Sequence, residues 1–284
     1  MIRLDAASVL IQWATGGLFF LWVTTRRREV GLGYGWLLRI VYLLMALGAV
    51  AAGRVLHADF ARDLASGATA AAAGAALAVS VRRRRAGVAG QRGREEARSA
   101  RVAAMTGIDR DARTFDDDAA EFDPRWDLAA PAFGLLACVA AAIDAGGSLP
   151  VGLLRMATGA AFLGAVSDAM LLGHWYLVQP GLARAPLLEL VRWTAWTWPA
   201  EVVAMLVPVG MVSVFVGTVD DGWDGILGWF WLACAVTTIV LVRVTRAALR
   251  EHQYSAVMAA TGLLYLAILT AFGTDLVARA VLAA

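Results

Sequence analysis

The chain has 284 residues, 60% of them hydrophobic, with a mean hydropathy of +0.65. Soluble domains carry about 45–50% apolar residues, and here the excess lies in long blocks, which excludes a single soluble core and points to bilayer spans. A net charge of +2 is too small to imply a nucleic-acid partner, and the 25 basic residues are all Arg.

A helix needs roughly 20 mostly apolar residues to cross the hydrocarbon core. The first block, residues 6–25, follows Arg3 and Asp5 and ends in "TTRRR". A secretory signal carries its positive charge at the other end, so this block reads as a retained span with the N-terminus outside. Further spans are expected at 35–56 and at 62–81, the latter Ala-rich and therefore weaker. Residues 82–127 form a loop that begins basic and turns acidic. It reads as a positive-inside anchor followed by a solvated linker, with a protein partner or anionic lipid at its Arg cluster as the rival reading. Within it "DRDARTFDDD" fails as a calcium loop, because Arg113 takes a ligand position and the turn glycine is missing.

Five more spans complete the chain, at 128–146, 151–178, 193–216, 225–244 and 254–280. The organisation is thus residues 1–81 with three spans, the loop 82–127, and residues 128–284 with five. Continuous runs of this length exclude barrel strands, so the expected fold class is an all-α membrane protein, a polytopic bundle of eight transmembrane helices. Arg bias sets the orientation. Arg26 to Arg28, Arg82 to Arg85, Arg92, Arg94, Arg98, Arg101, Arg184, Arg243, Arg246 and Arg250 fall on one set of loops. The other set holds Arg3, Arg62 and the acidic "TVDDGWDG". The first set is read as cytoplasmic, which puts both termini outside a multi-pass protein of the cytoplasmic membrane.

The two halves echo each other. "ATGGLFF" at 14–20 resembles "ATGAAFL" at 157–163, and "GLGYGWLLRIV" at 31–41 resembles "GLARAPLLELV" at 181–191. Both matches fit a 4+4 duplication whose halves run in the same direction, as parallel repeats do in transporters. Pro180 and Gly181 then stop one helix and Pro186 opens the next. Tyr176, Trp193, Trp196 and Trp198 are read as an aromatic belt near the cytoplasmic interface.

Ionisable groups inside the bilayer are functional candidates by default. With the fifth span centred near Ala165 and the sixth near Ala204 or Met205, Asp168 and Glu201 both fall about 5 Å inward of the midplane. On adjacent antiparallel helices they would share a proton or hold a cation, and Pro199 would loosen the helix beside Glu201. The rival is internal pairing, with Arg39 neutralising Glu189, Asp168 or Glu201. His174, nearer the cytoplasmic end, would serve as an inner proton relay.

The remaining motifs exclude more than they assign. Bis-His haem ligation would need His174 to meet His252 at one depth, so haem is an open but weakly supported cofactor and none is expected. Cys138 and Cys234 both fall in apolar spans, which argues against a disulfide framework, and no Cys/His spacing suits zinc. No phosphate loop, nucleophile elbow or metalloprotease motif is present, which argues against a hydrolase and leaves a membrane-embedded enzyme with an unrecognised site as a second rival. The function expected is proton- or cation-coupled transport, with Asp168, Glu201, His174 and Arg39 as the candidate site residues. The alternative is a non-catalytic membrane subunit of a larger redox or assembly complex.

Overall fold

In a computed structural model of the chain, the described residues are 4–90, 92, 93, 96, 97, 100, 104, 115, 116, 118–178, 182–251 and 253–283. Among them the structure is helical and contains no strand. The described residues form eight long helices: α1 (Ala6–Thr25), α2 (Leu32–Leu56), α3 (Phe60–Arg82), α4 (Ala129–Asp144), α5 (Leu149–Val178), α6 (Ala185–Leu206), α7 (Ile226–Ala248) and α8 (Tyr254–Ala283).

Helix starts follow local chemistry. The Asp5 carboxylate accepts from Ala7 N at 3.3 Å and Ser8 N at 3.0 Å to open α1, and Asp59 does the same for α3 at Ala61 N and Arg62 N. Pro186 sits in the first turn of α6, where a missing N–H costs nothing. Asp221 accepts from Trp223 N, Gly225 N and Leu227 N to start α7.

Seven of the long helical segments are long and apolar enough to cross a membrane. The exception is α6, which carries Glu189, Arg192 and Glu201 within 22 residues. Its position also corrects the expected sixth span of 193–216. Pro208 cannot donate to a helical hydrogen bond, and Gly210 adopts φ +43, where a side chain is disfavoured. The chain folds back there, with Met211 N donating to Met205 O at 2.9 Å, and only the single turn Val212–Phe215 follows. The helix therefore runs from 185 to 206 and is centred near Trp196, about nine residues earlier than expected. Trp196 is exposed near mid-helix, and Trp198 donates to Ala235 O of α7 at 2.8 Å. Pro180 and Gly181 lie outside the described residues.

Packing centres on α1 and α5. Of their apolar stretches 67% and 56% respectively is buried, the two highest shares among the candidate spans. They cross at small residues: a Cβ on Gly16 would strike Ala160 O, and one on Gly164 would strike the Gly16 backbone. Small residues let membrane helices pack backbone to backbone. Around this seam α1 packs on α2 and α4 while α3 joins α2 to α4. Equally, α5 packs on α6 and α8 while α7 joins α6 to α8. Trp13 of α1 ties the seam further, its Nε1 donating to Ser167 Oγ at 2.7 Å.

The described ends of the 82–127 loop fold onto one end of the bundle. Glu121 accepts from Arg28 at 2.9 Å and from Arg92, and its carbonyl accepts from Arg83 at 2.9 Å.

Candidate functional site

The Arg26–Glu29 turn, the described ends of the 82–127 loop and the described residues of the α7–α8 turn share one end of the bundle. The opposite end holds Asp5, the turns near 58 and 146, and the 207–225 loop. Two separate buried polar sites lie between these ends.

The first is nearer the Asp5 end and is built by four helices. Glu201 of α6 is fully buried, and its Oε2 accepts from Thr158 of α5 at 2.6 Å. Asp275 and Arg279 stand one turn apart on α8, both fully buried, with Arg279 Nε donating to Asp275 Oδ2 at 2.7 Å. Arg279 also donates to Gln12 Oε1 of α1, and Gln12 Nε2 donates to Met156 O at 3.2 Å. Gly159 makes room: a Cβ there would overlap Gln12 Nε2 and come within 3.0 Å of Asp275 Oδ1. Glu201 thus bonds Thr158 and Asp275 approaches the bare backbone beside it at Gly159, and Glu201 feels the charges of Asp275, Arg279 and Arg155. Glu201 Oε1 and Asp275 Oδ1 have no hydrogen-bond partner among the described residues.

Arg155 borders this site. Its Nε donates to Ala204 O at 3.1 Å and its Nη2 to Val207 O at 2.9 Å. A guanidinium on the last carbonyls satisfies acceptors that the helix leaves open and matches its negative end. The turn that follows Glu201 is thereby tied to α5.

The second site surrounds Asp168. Its Oδ1 accepts from Tyr42 of α2, and Tyr34 Oη donates to its main-chain oxygen at 3.5 Å. Its Oδ2 has no partner among the described residues. Asp168 and Thr158 are ten residues apart on α5, about 15 Å along the axis. Leu163, Ala165 and Val166, all fully buried, fill the interval. The structure therefore does not bring Asp168 and Glu201 together. The equal depth expected for them followed from centring α6 too far along the chain.

Arg39 also departs from expectation. Its Nε and Nη2 hold Asp127 Oδ1 and Oδ2, each at 2.7 Å, with both side chains buried and the guanidinium 4.5 Å from the Phe122 ring centre. Glu189 instead pairs with Arg26 and with Arg27, the latter at 3.4 Å. Arg39 is thus a clamp between α2 and the start of α4, and pairs with none of Glu189, Asp168 or Glu201.

His174 lies six residues past Asp168, a rotation of about 240° around α5 at 3.6 residues per turn. It is exposed and meets Tyr265 Oη of α8 through Nδ1 at 3.2 Å, on a face away from Asp168. A direct relay from Asp168 to His174 is therefore not formed. His252, the other candidate haem ligand, lies outside the described residues.

Sequence reasoning missed Asp275, Arg279, Gln12 and Thr158. Asp275 and Arg279 carried a usable signal, opposite charges at i and i+4 inside an apolar run. Gln12 and Thr158 are identified only by what the fold sets opposite them.

A wide cavity of about 840 Å³ opens at the 207–225 loop, lined by Phe215, Trp229, Asp220, Asp221 and Asp224 among others. Burial acts to raise the Asp221 carboxyl, but the N–H groups of Gly225, Trp223, Leu227 and Gly228 outweigh it and hold the group below the usual carboxylate range. That carboxylate is already committed as a helix cap. Comparison with known protein families, characterised proteins and solved structures finds no match for the chain.

Proposed function

We propose that the protein is a proton- or cation-coupled transport protein of the cytoplasmic membrane, and that its coupling site is the Glu201–Asp275 pair. One observation carries this reading: two buried carboxylates, on different helices, each keep one oxygen without a hydrogen-bond partner among the described residues. Intramembrane carboxylates facing a bundle interior mark ion paths in pumps and transporters. Pro199 within α6 and the break after Leu206 add the interrupted helix such sites use. Asp168 with Tyr42 is a second polar station on α5, separated from the first by buried apolar residues.

All eight helices span the bilayer in this reading, α6 being tolerated because Glu189 and Glu201 face partners, while the exposed Arg192 can extend its charged head along the helix toward the interface. Both termini lie outside, as the Arg distribution implies. A 4+4 duplication is supported by the matching neighbours of α1 and α5 in their own halves. An experimentally determined structure whose halves fail to superpose about an axis along the membrane normal would refute it.

The test of transport is reconstitution. Purified protein in liposomes, with an imposed membrane potential and an internal pH or cation dye, is expected to move protons or cations. Glu201→Gln is expected to reduce that flux at least tenfold while the protein stays monodisperse. Flux equal to that of empty liposomes across proton, sodium and potassium gradients would sink the reading.

A further inference from the structure

We infer that Asp168 is a proton-binding site in its own right, an uncharged carboxylic acid at neutral pH that carries its proton on Oδ2 while Tyr42 of α2 holds its Oδ1. This goes beyond the transport reading and stands without it.

The site is built across a helix. α1 packs on both α2 and α5, whereas α2 and α5 do not pack on each other. Tyr42 therefore reaches Asp168 past α1. Gly17 of α1 leaves the passage open, since a Cβ there would strike the Tyr42 ring. Tyr34, earlier on α2, converges on the same residue and meets its main-chain oxygen at 3.5 Å. Both tyrosines and Asp168 are buried.

Charge sets Asp168 apart. Among the described residues, every other buried carboxyl faces an arginine. Asp63 has Arg62, Asp127 has Arg39, Asp275 has Arg279, and Glu201 feels Arg155 and Arg279. Asp168 interacts with the phenols of Tyr42 and Tyr34, and among the described residues no cation acts on it.

The charged groups of the surrounding helices are engaged or turned elsewhere. α1 carries no charged residue. Arg39 of α2 is committed to Asp127, and Arg155 of α5 to the carbonyl end of α6. On α4, Asp144 pairs with His57. On α6, Glu189 pairs with Arg26 and Arg192 is exposed. On α8, Arg279 holds Asp275.

An ionised Asp168 would thus be an uncompensated charge in the bundle interior with one phenol to hold it. A carboxyl in that position takes up a proton rather than stay charged. The neutral acid leaves at most one hydroxyl unbonded, a far smaller cost. Because Oδ1 already accepts from Tyr42, the proton belongs on Oδ2, which has no partner among the described residues. Loading adds one proton from water to Oδ2, and release returns it, with no other bond made or broken.

Infrared spectroscopy of the purified full-length chain at neutral pH tests this. A protonated-carboxyl band is expected that shifts in D2O and is lost in Asp168→Asn. In Tyr42→Phe it is expected to move to higher wavenumber, because the carbonyl loses its donor. Gly17→Ala, which pushes the phenol aside, is expected to move it the same way. If Asp168→Asn does not fold, the Tyr42→Phe shift still assigns the band. Absence of a band that responds to Asp168 or Tyr42, or a band lost only in Glu201→Gln, overturns the inference. A band that Asp168→Asn removes and Tyr42→Phe leaves in place also overturns it. Failure of transport would show separately in the liposome flux and would leave this result untouched.

Discussion

Thr158 of α5 donates to the Glu201 carboxylate of α6 at 2.6 Å, a side-chain hydrogen bond between two helices in the bundle interior. It holds one oxygen of Glu201 and leaves the other open. Thr158→Val removes the donor while keeping the shape. Leaving a buried acceptor unpaired costs about 1–3 kcal/mol, so a lower unfolding temperature is expected, with the protein still folded. A Thr158→Ser protein should recover most of that loss, since the hydroxyl returns. Equal melting of wild type and Thr158→Val in detergent would show that the bond contributes nothing.

Asp275 and Arg279 lose more when separated. Removing one member of a buried ion pair strands the other, at a cost of about 3–5 kcal/mol. Arg279→Gln and Asp275→Asn are each expected to destabilise on that scale, while the double variant with Asp275→Leu and Arg279→Met is expected to be milder than either. Tryptophan fluorescence during thermal unfolding reads all three. A double variant as damaged as the sum of the single ones would contradict the pairing.

The α1–α5 seam depends on the absence of side chains at Gly16 and Gly164. Gly164→Leu is expected to force the helices apart and yield aggregated or proteolysed protein, because backbone cannot yield as a flexible side chain does. Size-exclusion profiles of Gly164→Leu beside Gly93→Leu, a glycine with open space around its Cβ position, separate crowding from general intolerance. Comparable profiles would argue against the close crossing.

Asp5 predicts an acid limb. Burial acts to raise its carboxyl, but the bonds from Ser8 Oγ and Ser8 N, the Arg62 charge and Ala7 N outweigh it and hold it below its ordinary value of 3.8. A carboxyl depressed in the folded state contributes stability above the unfolded pKa and loses it as pH falls through the folded one. Stability is thus expected to fall below about pH 4, and Asp5→Ala is expected to flatten that limb while costing about 0.5–2 kcal/mol at neutral pH. Unfolding followed from pH 7 to 3 checks it, and an unchanged acid limb in Asp5→Ala would assign the titration elsewhere.

Sidedness follows from the Arg asymmetry. In a Cys138→Ala, Cys234→Ala background, Asp224→Cys is expected to react with an impermeant maleimide on intact cells. Arg85→Cys is expected to react only after lysis. Labelling of both from the same side would end the eight-span topology.

Helix positions were readable from apolar run length, since length against bilayer thickness is a one-dimensional property. Depth was less readable where turns decided it. Pro208 was visible, but only the fold shows that the chain turns back at Gly210, and this shift separated Glu201 from Asp168. Pairing was the least readable. Arg39 had several carboxylates at plausible depth, and the partner it takes, Asp127, was the last residue of a loop read as a solvated linker. His174 and Asp168 are close in sequence, yet helical rotation turns them to different neighbours. Asp275 and Arg279 were legible as an i, i+4 pair but were masked by the apolar run around them.

The most direct measurement of whether Glu201 and Asp275 form one site is a double-mutant cycle. Unfolding free energies of wild type, Glu201→Gln, Asp275→Asn and the double variant give the coupling between the two carboxyls. Groups in contact or in one network couple by about 0.5–3 kcal/mol, whereas distant groups add within about 0.5 kcal/mol. Coupling in the upper range is expected for 201 with 275, and additivity for 201 with Asp168→Asn. Additivity at 201 and 275, or strong coupling between 201 and 168, would contradict the account.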